Sequence, residues 1–297
     1  MSARVEEGSV LPGRTAGGSA PCRWLIALDY DGTLRREAEP PIDPSFWELM
    51  RAWRSYGVRW GINTGRSLPY LCEELLPAAP CLPDFICTTE RYAYVSDAEG
   101  CLRPLVAPNA EAREANLRLR SRLAPLLQRA MSVLTAQHPE LRWTFAARDP
   151  LSIEAEDAAT LGRIAELLQP VTAAWTGVAI QRAGRYMRLS DARYHKGTAL
   201  ALVARAWAVP AAHLLIAGDG HNDLDAFRHF PEAFCACPVD AHPEVRTWLR
   251  AHGGYVSPDR GVVALLHAWW VERVLPSQQG AGAQKIAAHD MLNSVSA

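Results

Sequence analysis

The stretch ALDYDGTL, residues 27–34, sets two aspartates two positions apart at the end of a short apolar run. WLIALD (24–29) reads as a buried strand. Carboxylates are costly to desolvate and rarely lie near a core unless paired, hydrogen-bonded or bound to metal. A buried strand that ends in Asp29 and Asp31 therefore implies partners elsewhere in the chain.

Strand-length apolar runs alternate with helix-period stretches on both sides of a long interruption. VRWGIN (58–63), DFICTT (84–89), HLLIAGD (213–219) and AFCACPV (233–239) read as strands. Residues 43–55, 67–76, 197–208, 223–229, 242–250 and 261–271 read as helices, the first opened by Asp43 as N-cap and Pro44 in its first turn. This alternation predicts an α/β fold, a doubly wound parallel sheet with helices on both faces. Residues 108–187 break the rhythm. A long Arg-rich helix (110–137) is followed by RWTFAA (142–147), LSIEAE (151–156), a helix over 157–168, TAAWTGVAI (172–180) and RYMRLS (185–190). That order predicts an inserted α+β cap domain with its own small sheet. The expected organisation is a flexible tail at 1–21, a catalytic core from 22–107 and 188–275, the cap at 108–187, and a second flexible tail at 276–297.

Composition narrows the function classes. The chain has 297 residues, 49% apolar and 21% charged, with a net charge of −1, so neither a nucleic acid nor another polyanion is expected as partner. No apolar run has transmembrane length, and the N-terminal stretch lacks the apolar segment of a secretory signal, so no membrane is expected either. Seven cysteines are scattered without paired CxxC spacing, which reads as reduced thiols in a cytoplasm rather than a zinc site or disulfide framework. Nothing in the sequence sets an oligomeric state.

In open α/β sheets ligands bind beyond the carboxyl ends of the strands. Four clusters fall at such positions: Asp29 and Asp31; Thr64-Gly65-Arg66; Lys196 at a helix start; and Asp219-Gly220-His221-Asn222-Asp223. Asp29 and Asp219 suit a hard divalent cation such as magnesium, which takes oxygen ligands. The Thr64 hydroxyl, the unhindered Gly65 N–H and the Lys196 ammonium suit phosphate oxygens. Asp29 then fits a carboxylate nucleophile, and Asp31 an acid and base.

On these residues the chain resembles the haloacid dehalogenase superfamily of phosphohydrolases. DYDGT (29–33) resembles its DxDGT motif, NTGRS (63–67) its second motif, HKGTAL (195–200) its lysine motif, and GDGHNDLDAF (218–227) its GDGxNDxxM motif. The insert lies where the C2-type cap of the Cof-like, sucrose-phosphatase-like and trehalose-phosphatase-like branches lies, and the closing stretch 239–266 is similar to theirs. The resemblance covers about residues 23–270. It implies that Asp29 becomes an aspartyl phosphate and that Asp31 is the general acid and base. It further implies that Thr64, Gly65, Lys196 and Asn222 hold the phosphoryl group. Mg2+ would be held by Asp29, Asp31 (through its backbone carbonyl), Asp219 and Asp223. Arg66, Arg182, Arg185 and Arg188 are candidate contacts to the substrate. The chain departs from the pattern at Thr89-Glu90-Arg91, where Cof-like relatives often read NGA, and at Phe227, where many have methionine.

The expected activity is Mg2+-dependent hydrolysis of a small-molecule phosphomonoester, with a sugar phosphate as the substrate class implied by the capped branches. A phosphomutase using the same aspartyl-phosphate chemistry, and a non-catalytic regulatory member of the fold, stand as alternatives.

Overall fold

A computed structural model of the chain describes residues 21–37, 40–146 and 149–279. The tails expected at 1–21 and 276–297 lie outside the described residues, except for Pro21 and residues 276–279, which continue the last helix.

The core is an eight-stranded sheet of β1 (Trp24–Leu28), β2 (Val58–Asn63), β3 (Phe85–Thr88), β4 (Tyr92–Ser96), β5 (Leu102–Pro104), β10 (Leu214–Ala217), β11 (Phe234–Cys237) and β12 (Tyr255–Val256). Its order is β12-β11-β10-β1-β2-β3-β4-β5; β12 through β3 run parallel, and β4 and β5 are antiparallel. The chain builds outward from β1 through β2 to β3 and later returns to the other side of β1 with β10. The switch in strand order, where such sheets bind ligands, therefore lies at β1.

Every residue of WLIAL is buried, because β1 is covered on both faces. Trp24, Ile26 and Leu28 pack with Trp60 under helices α1 (Pro44–Trp53), α2 (Leu68–Glu74) and α8 (Val262–Trp269). Leu25 and Ala27 pack with Phe85 under α5 (Lys196–Ala206), α6 (Leu224–His229) and α7 (Pro243–Ala251). Asp43 caps α1 by accepting from the Ser45 N–H at 2.9 Å, as its sequence predicts. Helix α8 continues through a π-helical turn, Trp270–Val274, into α9 (Leu275–Gln279).

The insert is built from α3 (Val106–Gln137), β6 (Trp143–Ala146), β7 (Asp149–Ala155), α4 (Ala158–Thr172), β8 (Val178–Ala183) and β9 (Tyr186–Asp191). Its four strands form an antiparallel sheet in the order β6-β7-β9-β8. Leu119, Leu123, Leu127, Met131 and Leu134 recur at helical spacing along α3 and pack with Leu151, Ile153, Met187 and Leu189. The opposite face carries a buried polar row across three strands, Ser152, Arg188 and Gln181 in direct register. Two boundaries differ from the sequence reading. Helix α3 starts at Val106, and β9 crosses the expected 187/188 junction, so Arg188 belongs to the insert. The hairpin β4–β5 and the short β12 are additions to the predicted strands.

Trp269 is fully buried and packs edge-on against Trp24 at 5.8 Å between ring centroids. Trp269→Ala is expected to cost about 3–5 kcal/mol, read as a lowered urea midpoint.

Candidate active site

The strand ends converge as the parallel order requires. Each of three strands extends its ladder by one residue: Asp29 N–H donates to the Ala217 carbonyl at 2.8 Å, Thr64 N–H to Cys87 at 3.0 Å and Gly218 N–H to Ala236 at 3.2 Å. Asp29, Thr64 and the acidic loop at 218–223 are therefore fixed in height by backbone pairing.

Lys196, at the start of α5, reaches into this crevice and is 1% exposed. Its Nζ lies 2.9 Å from Asp29 Oδ1 and 2.6 Å from Asp223 Oδ1. His195 caps the helix, its Nδ1 accepting from the Gly197 N–H at 3.2 Å, and Asn63 Nδ2 donates to the Lys196 carbonyl at 3.1 Å. Asp29 Oδ1 also accepts from the Tyr30 N–H at 2.8 Å. Both bonds fall on the same oxygen, which orients the carboxylate and leaves Oδ2 outside them.

Asp29, Asp219 and Asp223 bring carboxylate oxygens within 4.8 Å of one another. Two glycines permit this. A Cβ at Gly32, which has φ +78°, would lie 2.3 Å from Asp219 Oδ2, and one at Gly218 would lie 2.0 Å from Asp223 Cγ. Thr33 Oγ1 donates to Asp219 Oδ1 at 3.0 Å, and the Gly220 N–H to Asp223 Oδ2 at 2.9 Å.

Crowding and burial act together on these acids. Burial, relieved in part by Lys196 and reinforced by the Asp223 charge, pushes Asp29 up to about 7. Burial and the Asp29 charge push Asp219 up to about 7. Burial raises Asp223 to about 6 against the pull of Lys196. Burial alone would lower the Lys196 ammonium, but Asp223, Asp29 and Glu90 hold it above its usual value. Three ionised carboxylates beside one ammonium leave a surplus of two negative charges. An oxygen-preferring divalent cation fits that donor set and that charge.

The remaining predicted residues divide. Thr64 is 2% exposed and its hydroxyl accepts from the Arg66 N–H at 3.1 Å. Gly65 lies close under Glu90, whose Oε1 would be 3.3 Å from a Cβ there. Asn222 is buried and donates from Nδ2 to Glu90 Oε1 at 2.7 Å. The Asp31 carboxylate stands apart from the other three; it accepts from Arg66 Nε at 2.6 Å and Nη2 at 3.2 Å, and Arg66 lies over the Tyr70 ring. Beside Asp31, Gly32 and Asp219 opens a cleft of about 530 Å3 whose rim includes Arg35, Arg36 and Arg260.

Of the predicted insert arginines, Arg188 bonds the core directly, to the Thr89 carbonyl at 3.0 Å and Glu90 Oε2 at 3.1 Å. Arg185, on the β8–β9 turn, is exposed and paired with Glu154 at 2.7 Å. Arg182 stands opposite Met187 in the β8–β9 ladder, near enough to the acidic loop for its charge to help lower the His221 imidazole. Glu90 and Gln181 were absent from the predicted site. The Thr89-Glu90-Arg91 departure marked the place of the first. His221 bonds Glu244 at 2.8 Å, on the rim.

No protein-family model matches the chain, and no curated protein matches it in sequence. Solved structures share its fold. The sucrose-phosphatase of Synechocystis, in complex with sucrose and phosphate, aligns with a TM-score of 0.63 at 20% identity, over 84% of this chain and 97% of that one. A haloacid dehalogenase-like hydrolase protein from Bacillus subtilis aligns at 0.55 and 11% identity, over 88% and 95%. A phosphatase of the haloalkanoate superfamily from Bacteroides thetaiotaomicron aligns at 0.54 and 16% identity, over 87% and 99%. The chain has the fold of the haloacid dehalogenase phosphatases, a Rossmann-like core with an inserted cap.

Two outcomes follow from the crowded carboxyls. A carboxyl raised above its unfolded value of about 4 contributes stability below that value and loses it as pH rises through the folded value. The metal-free protein is therefore expected to melt at lower temperature at pH ~8 than at pH ~5, and magnesium to restore the loss at the higher pH; melts with magnesium and with chelator check both. Gly218→Ala displaces Asp223 and is expected to weaken magnesium binding at least about tenfold, about 1.4 kcal/mol, in a calorimetric titration.

Proposed function

We propose that the chain is a magnesium-dependent phosphatase of the haloacid dehalogenase superfamily that hydrolyses a small phosphomonoester through an aspartyl phosphate. The observation that carries this reading is the buried Lys196 ammonium held between Asp29 and Asp223 at the switch point of the sheet. It gives one carboxylate a fixed orientation, with Oδ2 outside the Lys196 and Tyr30 bonds, beside a donor set suited to a divalent cation.

Asp29 Oδ2 is placed to attack phosphorus. As the new P–O bond forms, the bond to the leaving oxygen breaks and Asp31 delivers a proton to that oxygen. In the second half Asp31 takes a proton from water, the water oxygen bonds phosphorus and the Asp29–phosphorus bond breaks. Thr64, the Gly65 N–H and Lys196 hold the phosphoryl oxygens, and Arg66 exchanges Asp31 for phosphate when substrate enters. Asp29, Asp219 and Asp223, with the Asp31 carbonyl, are the residues that would hold magnesium. Bound there, magnesium supplies charge neutralisation for the transferring group.

A sugar phosphate is the proposed substrate class. The aligned sucrose-phosphatase carries sucrose in the equivalent fold, and the insert presents the polar row Ser152, Arg188 and Gln181 on the face toward the core. Seven free cysteines support a reducing compartment, the cytoplasm, and no helix among the described residues is long and apolar enough to cross a membrane.

Phosphate release from a panel of sugar phosphates and other phosphomonoesters, with magnesium and with chelator, tests the reading. Magnesium-dependent release with a preferred sugar phosphate is the expected result; no release from any member by folded, magnesium-bound protein would overturn it. Asp29→Asn is expected to lower turnover by at least about a thousandfold with the fold intact by circular dichroism. Asp31→Asn is expected to slow breakdown of the covalent intermediate, so that phosphoenzyme accumulates after acid quench.

A further inference from the structure

Where the insert meets the core, a buried charged junction ties an insert strand to the acidic loop through Glu90, a residue to which the phosphoryl chemistry assigns no role. Glu90 lies in the turn between β3 and β4 and is 4% exposed. Its Oε1 accepts from Asn222 Nδ2 at 2.7 Å, and its Oε2 accepts from Arg188 Nη2 at 3.1 Å. One carboxylate thus grips the acidic loop with one oxygen and an insert strand with the other. Arg188, equally buried, spreads its other bonds over the Thr89 carbonyl at 3.0 Å and Gln181 Oε1 at 3.0 Å. Gln181 in turn donates to the Tyr194 carbonyl at 3.2 Å, just before α5.

The backbone is bent to make this possible. Thr89 and Glu90 have φ of +47° and +62°, in the left-handed region that residues with a Cβ enter only when their surroundings hold them there. The Thr89 N–H donates to the Arg66 carbonyl at 2.9 Å and the Glu90 N–H to the Thr64 carbonyl at 3.1 Å. The turn is therefore pinned onto the loop after β2, and Glu90 Oε1 stands 3.3 Å from where a Gly65 Cβ would be. A negative charge there, beside a loop suited to phosphate, repels an incoming anion unless a cation neutralises it. Arg188 is the cation in direct ion-pair contact with Glu90, and it arrives with the insert.

We propose that Glu90 is a positioning residue that makes docking of the insert and competence for phosphate a single event. With the insert docked, Arg188 cancels the Glu90 charge and Glu90 fixes the Asn222 amide, because a carboxylate accepts only from its Nδ2 side. With the insert away, Glu90 loses its ion-pair partner beside Gly65, with Lys196 and Arg91 acting on it only from a distance, and Asn222 loses its constraint. Binding of an anion therefore favours the docked state. The inference rests on the phosphatase reading for its ligand, but the junction itself does not.

Inorganic phosphate binding, measured by calorimetry with magnesium present, tests the electrostatic half. Arg188→Met is expected to weaken phosphate binding about tenfold, because it leaves Glu90 unpaired; the conversion is about 1.4 kcal/mol. The double variant Glu90→Gln with Arg188→Met is expected to regain most of that loss, although it lacks both partners of the contact. An Arg188→Met protein that binds phosphate as the wild type does, or a double variant no better than Arg188→Met, would overturn the coupling. Hydrogen exchange tests the mechanical half without any ligand. In Glu90→Gln, an isosteric change, amides of 186–191 and of 218–224 are expected to exchange faster together. Acceleration confined to one segment overturns the proposal, even in a protein without phosphatase activity. Wild-type protein that binds no phosphate removes the phosphatase reading instead, and the exchange experiment still decides the junction.

Discussion

The structure depends on one buried ammonium. Lys196 is removed from water and satisfied by Asp29 and Asp223, which lie on either side of the insert in the sequence. Removing one member of such a set leaves an uncompensated buried charge, a loss of about 3–5 kcal/mol in comparable pairs. The contact joins β1, α5 and the acidic loop after β10, the elements on either side of the insert. The insert can be long because closing a loop costs entropy that grows only slowly with its length, provided that its ends meet where this ion set forms.

The same arrangement leaves the crevice short of positive charge. The close approach of Asp219 and Asp223 is permitted by Gly32 and Gly218, where a Cβ would collide with each carboxylate. The fold thus holds carboxylates together that would separate if free, and their raised proton affinities record their burial first and this crowding second. Charge is managed differently at the insert. There Glu90 and Arg188 neutralise each other, so the docked face is polar without a large net field.

The core strands and most of the crevice were legible in the sequence because each is a local pattern: an apolar run, then an acid, a hydroxyl or a glycine where the ladder ends. Asp29, Thr64 and Asp219 needed only the rule that parallel strands share a carboxyl edge, whereas Lys196, at the start of α5, was marked by the HKGTAL motif. Glu90 was not legible as a site residue. Its partners lie 98 and 132 residues away, one on an insert strand and one on the acidic loop. The β3–β4 hairpin was hidden for a related reason. Its turn adopts positive φ at Thr89 and Glu90 without the glycine or asparagine that normally announces one. Arg182 and Arg188 look alike in the sequence. Strand register separates them, since it pairs Arg182 with apolar Met187 and Arg188 with Ser152 and Gln181.

The chain writes almost all of its basic residues as arginine; its two lysines are Lys196 and Lys285. Among the described residues, then, a lysine-specific protease has a single target, and that target is the ammonium at the centre of the ion set, 1% exposed. Cleavage after Lys196 cannot occur while the set is closed. Loss of intact chain at that bond is thus a molecular clock for opening of the crevice. The cut would also divide the chain just beyond the insert, separating β1 and its Asp29 from the strand that leads to Asp219.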